Sequence, residues 1–367
     1  MNYWKNGYQR TRLYIAILLP IQIIVFSWFK QNQNWVENIY IKLIYNQFSL
    51  FLRIITGFFE ISIGLILMYC FLLFILYKII KNIVNLTRKH LKLKDFFLNT
   101  ICTLSILYGF YMLSWGLAYY RKPIATINQL NIENIDFEEI KTLAENLIIL
   151  TNESRSRITN EEARSSNIKQ YFGIAKIGYD NISREIPELT YQKPSIKIGF
   201  NQTILSYLSA GGIYSFPTGE ANVNAINSAF EAPFTICHEM AHQLGFASEE
   251  EANYISFLAC THNPKPIFRY SAYSEALSYT LSNIYRQDST LYLGMKSKID
   301  TNVLADFAFA KAKWKPYQIP FIRKTSSYLY DIFLKSNDQE EGIKSYGLVV
   351  ELLVGEMRKK KAMSDER

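Results

Sequence analysis

Histidine and cysteine are scarce in this chain, four of each in 367 residues. So few cysteines exclude a disulfide-dense secreted scaffold. Acidic residues are nearly missing from the first third. Residues 1–122 carry 3 Asp/Glu against 14 Lys/Arg, which leaves 26 of the 40 basic and 29 of the 32 acidic residues for the remainder. The larger part is therefore slightly acidic, and it lacks the basic domain that nucleic-acid binding calls for. Internal repeats and low-complexity tracts are absent. No small-residue cleavage site follows the first apolar run, so that run does not read as a removed signal peptide.

What the chain has in excess is apolar surface: 49% of residues are hydrophobic and 15% aromatic. The excess sits in three runs, about 11–29, 54–80 and 98–120. Each is near the roughly 20 residues a helix needs to cross a bilayer. These runs predict a membrane anchor over 1–122 and a separate domain over 123–367. The lipid bilayer is then a partner. Cys70 and Cys102 fall inside spans as small apolar fillers. Glu60 lies within or near the second span, and its charge is expected to reach the outer interface.

Loop charge sets the expected orientation. The N-terminus has Lys5, Arg10 and Arg12. The loop after the second span has Lys78, Lys81, Arg88, Lys89, Lys92 and Lys94 against Asp95. The first loop, with Lys30, Lys42, Arg53 and Glu37, is less basic. The N-terminus should stay in the cytoplasm of a bacterium. The chain should pass three times through its inner (cytoplasmic) membrane, and the domain after Tyr120 should be extracytoplasmic. Arg121 and Lys122 weakly oppose this.

In the second part, Phe137 to Ile149 and Glu161 to Ile174 read as amphipathic helices, the latter entered through Thr159-Asn160. Ile196, Ile198 and Phe200 alternate as in a strand. Gly211-Gly212 and Pro217-Thr218-Gly219 predict a further strand and a tight turn within 204–224. The rest is helical, broken at Pro264, Pro266, Pro316 and Pro320. The run Arg358 to Lys361 reads as a solvated helix end.

The most specific signal is His238-Glu239-Met240-Ala241-His242. No Pro or Gly interrupts it. Two of the four histidines stand four apart, on one face of a helix. That spacing suits two imidazoles gripping one Zn²⁺ with Glu239 as general base beside it. A catalytic zinc takes three protein ligands and leaves a position for water. Gly245 can end the first helix in the left-handed conformation, and Ser248 can cap a second. On that second helix Glu249 and Asn253 share a face, so Glu249 is a candidate third ligand with Asn253 supporting it. Glu251 competes with it. Cys237 and Cys260 flank the motif, and a disulfide between them is open.

His-Glu-Met-Ala-His followed by Glu-Glu-Glu-Ala-Asn resembles the gluzincin plan, with a shorter gap from His242 to Glu249. Ser248 stands where the metzincin pattern has its last histidine, so that family fits poorly. A closer resemblance covers nearly the whole chain: the three spans, Pro217-Thr218-Gly219-Glu220-Ala221-Asn222-Val223-Asn224, Cys237 to Gly245 and Glu249 to Asn253. It is to an uncharacterised bacterial family of membrane-anchored zinc metallopeptidases, a domain of unknown function. The resemblance implies a mainly α chain: three N-terminal transmembrane helices, then an α+β zincin-like domain with a small β-sheet.

The expected activity is zinc-dependent hydrolysis of a peptide or protein substrate. A catalytically silent zinc-binding envelope sensor or scaffold is the alternative. Tyr270, Tyr273 and His262 follow the motif and are candidates for steadying an oxyanion or binding substrate. The segment Gly212 to Asn224 is a candidate edge for holding a substrate backbone. Substrate identity and oligomeric state are not encoded in any motif.

Overall fold

The computed structural model describes residues 2–88, 92–339 and 348–365; Lys89, one of the expected loop charges, lies outside the described residues. The chain divides into two compact units. One is Met1–Gln47 with Ile63–Lys122, the other Phe48–Ser62 with Pro123–Arg367.

The first unit holds three helices long and apolar enough to cross a membrane: Gln9–Phe29, Ile63–Thr87 and Leu93–Ser114. Their outward side chains, such as Ile24, Leu73 and Phe110, are exposed apolar groups. A helix satisfies its own backbone, so such a surface suits hydrocarbon better than water. The first and third helices approach closely, and a Cβ at Gly109 would meet Gln22 Nε2 at 2.9 Å. Between the first and second, Val36–Tyr45 winds as a π-helix that buries Tyr40, Ile41 and Tyr45. Arg121, expected to count against the orientation as a loop charge, is buried in an ion pair with Glu37 at 3.1 Å.

Two expected span boundaries are corrected. The third helix runs Leu93–Ser114, and Gly116–Tyr120 forms a separate 3₁₀ turn rather than the end of the span. The second begins at Ile63, not near residue 54. Residues 54–56 end a different helix, Asn46–Thr56. Its Ser49, Arg53 and Thr56 are buried in the second unit. Glu60 lies in the bend before Ile63, exposed and outside the spanning helix.

The second unit wraps helices around Ala232–Gln243, the helix that carries the His-Glu-x-x-His motif. Beside it lies a three-stranded sheet of order β1-β3-β2, with β1 Ile196–Ile198, β2 Gly212–Ser215 and β3 Glu220–Val223. β1 runs parallel and β2 antiparallel to the central β3. β2 is an edge strand, and the turn at Pro217-Thr218-Gly219 joins it to β3, with Gly219 at φ +68. The core packs Tyr179, Phe246, Tyr254, Leu258 and Phe268 around the motif helix. Helix Phe172–Ile182 meets helix Glu249–Thr261 so closely that a Cβ on Gly178 would sit 1.9 Å from the Ala259 carbonyl oxygen.

Several local expectations needed revision. The helix from Phe137 continues to Arg155. The predicted 161–174 helix is three pieces: Asn160–Arg164, a 3₁₀ turn Ile168–Tyr171, and Phe172–Ile182. Ser165-Ser166-Asn167 breaks it by offering side-chain partners to the backbone, as in the Ser165 Oγ bond to Asn167 N. Residues Gln202–Tyr207 form a short helix, and the strand expected within 204–224 is Gly212–Ser215, followed by the expected turn. Arg358 is no solvated end: it pairs with Glu139 at 2.6 Å and donates to the Glu133 carbonyl. Cys237 and Cys260 are both buried, free thiols rather than a disulfide.

Gln243, fully buried at the end of the motif helix, ties the unit together. Its amide donates to the Ser195 and Gly219 carbonyls at 3.0 and 2.7 Å, and Tyr191 donates to its oxygen. Its own carbonyl accepts from Ser49 at 2.8 Å. Arg53 donates to the Gln192 carbonyl at 2.7 Å and lies over the Tyr191 ring. The stretch Phe48–Ser62 is thus structural support for the motif helix. Two of the three long helices separate Ser62 from Pro123. If both cross, these stretches return to one side, as their packing into one unit requires. Arg53→Met strands the Gln192 carbonyl and should cost about 1–3 kcal/mol. Denaturant unfolding of the detergent-solubilised full chain checks this, and an unchanged midpoint would contradict the role.

Candidate metal centre

The motif helix starts with Pro233 in its first turn, where a missing N–H costs nothing. It ends at Gly245, which takes φ +82 and so lets the chain reverse. Ser248 is extended at the head of the next helix, Glu249–Thr261, although its hydroxyl makes no cap bond. The reversal is short enough to lay the first turn of the second helix against the last turn of the first.

The result is a cluster of His238, His242 and Glu249, whose ligand atoms all lie within 4.8 Å of one another. The two Nε2 atoms are 3.1 Å apart. Glu249 oxygens stand 3.2 Å from His238 Nε2 and 3.8 Å from His242 Nε2. A tetrahedral zinc with bonds of roughly 2.0–2.1 Å separates its ligands by about 3.3 Å. The triangle has the right size.

The outer nitrogens fix the tautomers. His242 Nδ1 lies 2.7 Å from the Phe246 carbonyl, which can only accept, so that nitrogen carries the proton. His238 Nδ1 donates likewise to Asn253 Oδ1 at 2.9 Å. With both rings neutral, each Nε2 then turns a lone pair inward, toward the same point as the Glu249 carboxylate. Asn253 also accepts from Tyr279 at 3.4 Å, and Tyr330 donates to Glu249. These partners orient the inner groups in the way metal-binding histidines are usually held.

Converging electron pairs demand positive charge, and the protonation equilibria show it. Burial works against a charged His238, but the bonded Glu249 carboxylate prevails and raises it. Burial opposes the Glu249 charge as well, yet His238, His242 and Tyr330 hold it down to about 2. Burial, with His238 adding to it, lowers His242 to about 4, so it stays neutral. Positive charge on His238 and negative charge on Glu249 thus favour each other.

Glu239 faces this cluster differently. It is buried and its Oε2 has no hydrogen-bond partner. Burial pushes it up to about 8, with His238 opposing and Glu249 reinforcing. β2 runs directly over it: a Cβ on Gly212 would lie 2.4 Å from Glu239 Oε1. Tyr214, two residues along β2, stacks on His242 with ring centroids 6.3 Å apart.

The other sequence candidates fall elsewhere. Glu251 accepts from the Ile124 N–H at 2.6 Å, away from the cluster. Tyr270 is buried and donates to Asp306, which also binds Arg155 and Arg164. Tyr273 packs on Phe257. His262 caps its own helix through the Leu258 carbonyl and faces Glu185. Tyr214, Tyr279 and Tyr330 take the places near the cluster that sequence reasoning gave to others. Only Gly212 had a readable signal, a glycine inside a strand pattern.

The sequence matches the family described as "Protein of unknown function (DUF3810)" over residues 40–354. The chain belongs to this family. No curated protein and no solved structure matches it. The DUF3810 match takes in the second and third long helices, the sheet and the whole cluster.

Replacing Gly212 with Ala should push the Glu239 carboxylate aside by about 1 Å and leave the three clustered ligands alone. A structure of the variant tests this: the Glu239 carboxylate should shift while His238, His242 and Glu249 keep their spacing. An unmoved carboxylate would contradict the close approach.

Proposed function

We propose that the chain is a membrane-anchored zinc-dependent peptidase with a zincin-like second unit. His238, His242 and Glu249 would hold Zn²⁺, and Glu239 would act as general base. The observation that carries this reading is the convergence of two Nε2 lone pairs and one carboxylate beside the unpartnered Glu239 Oε2. A site that closes all four positions with protein atoms would have no use for that carboxyl, which argues against a silent sensor or scaffold.

Zinc bound there would supply Lewis acidity, bringing a water pKa down to about 7 and polarising a carbonyl. Glu239 takes the proton from the attacking water at its free Oε2 and passes it to the leaving amine. Its high pKa without a metal suits the second half of that task, and a neighbouring dication favours the carboxylate needed for the first. Asn253 and the Phe246 carbonyl keep both imidazoles in the ligating tautomer. β2 lies at the end of the strand order beside the cluster, which makes it the candidate for holding an extended substrate. The wider Gly212 to Asn224 candidate narrows to Gly212–Ser215, because β3 is already paired on both sides.

The Lys/Arg bias supports a bacterial inner-membrane location with the N-terminus cytoplasmic and the second unit extracytoplasmic. Burial of Arg121 against Glu37 removes one of the two charges that opposed it.

The test uses the full chain in detergent with a fluorogenic peptide library. His238→Ala should lose zinc. Glu239→Gln should keep zinc and lose about 10²–10⁴-fold in cleavage. Zinc retention should also fall with acid, because His238 must give up its proton to bind metal. Equal zinc in the wild type and His238→Ala ends the proposal; full cleavage by Glu239→Gln leaves only a zinc-binding protein.

A further inference from the structure

Helix Pro320–Ser336 has two unlike faces. One holds Tyr330, bonded to Glu249, and the buried Leu334. The other is apolar and open: Phe321 is 78% exposed, Tyr328 65%, Leu329 60% and Ile332 47%. Positions 321, 325, 328, 329 and 332 fall on one side of a 3.6-residue helix, so this is a continuous stripe and not scattered exposure. Lys324 and Lys335 border it, both exposed.

Charge says what kind of surface would cover the stripe. Residues 311–336 hold Lys311, Lys313, Lys315, Arg323, Lys324 and Lys335 against the single acid Asp331, inside a part of the chain that is otherwise acidic. An apolar stripe edged by lysines is the pattern of a helix lying in the headgroup region of a membrane, where the lysine stems stay along the apolar side and the ammonium groups reach anionic headgroups. A second row points the same way. Phe200, Ile204 and Leu208, four residues apart, are 52%, 49% and 45% exposed. Tyr207, on that short helix, rests against Tyr317 in the turn leading into Pro320–Ser336, ring centroids 5.4 Å apart.

The chain also keeps a bilayer within reach. Phe58, Phe59 and Ile61 of the second unit are exposed and directly precede Ile63, the first residue of the most apolar long helix. A unit joined directly in sequence to such a helix meets lipid at high effective concentration.

We propose that the Pro320–Ser336 helix, with the Phe200–Leu208 row, docks the second unit onto a bilayer surface containing anionic lipid. This stands apart from the zinc reading, since neither the observation nor its readout uses the metal.

The experiment places single spin labels on the full chain reconstituted in vesicles, in a Cys70→Ser background; the other three cysteines are buried. Labels go at Phe321→Cys, Leu329→Cys and Ile332→Cys, with the exposed polar position Ser297→Cys as reference. Vesicles are phosphatidylcholine alone or with phosphatidylglycerol. At the three stripe positions, collisions with oxygen should rise and those with a water-soluble nickel complex should fall relative to Ser297. The contrast should be larger with phosphatidylglycerol and shrink in Lys324→Glu/Lys335→Glu. Nickel accessibility equal to Ser297 would overturn the proposal. So would spin–spin broadening between labels, which marks a second copy on the stripe, or shielding from both reagents, which marks burial in protein.

Discussion

The second unit is organised around one electrostatic constraint: three electron-pair donors face the same point, and only positive charge can hold them there. The Phe246 carbonyl and Asn253 force the protons of both imidazoles outward, so neither ring can relieve the crowding by changing tautomer. Glu249 is held in its charged form by the same histidines it faces. Positive charge between them, whether a proton on His238 or a bound cation, relieves the crowding.

The surrounding fold serves this constraint. Gly245 reverses the chain so that two helix ends meet. Gly178 lets helix Phe172–Ile182 press against the helix that bears Glu249. Gln243, one residue beyond His242, fastens the motif helix to β1, to the turn before β3 and to Ser49. The stretch Phe48–Ser62 lies between two long apolar helices in sequence yet packs as part of the second unit. Ser49 and Arg53 of that stretch hold the end of the motif helix and the Tyr191-Gln192 segment beside it.

Much of the site was legible in the sequence because it is local. The His-Glu-x-x-His spacing, the left-handed Gly245 and the shared face of Glu249 and Asn253 depend on helix geometry over fifteen residues. The turn at 217–219 and the Thr159 cap were legible for the same reason. Other failures, unlike the local break at Ser165-Ser166-Asn167, depended on distant partners. Ile54 and Ile55 are apolar enough to look like the start of a span, but Ser49, Arg53 and Thr56 find buried polar partners more than 130 residues away. Tyr330 reaches Glu249 across 81 residues. Tyr270, nearer in sequence, is committed to Asp306. With 26 tyrosines in the chain, proximity in sequence could not choose among them.

The central claim, a zinc ion held by two imidazoles and a carboxylate, is tested most directly by zinc K-edge X-ray absorption on the purified full chain. The account predicts two imidazole nitrogens at about 2.0–2.1 Å, with the remaining ligands oxygen at about 2.0–2.2 Å. Sulfur at about 2.3 Å, a shell with a single imidazole, or the lack of stoichiometric zinc in protein loaded at neutral pH would contradict it.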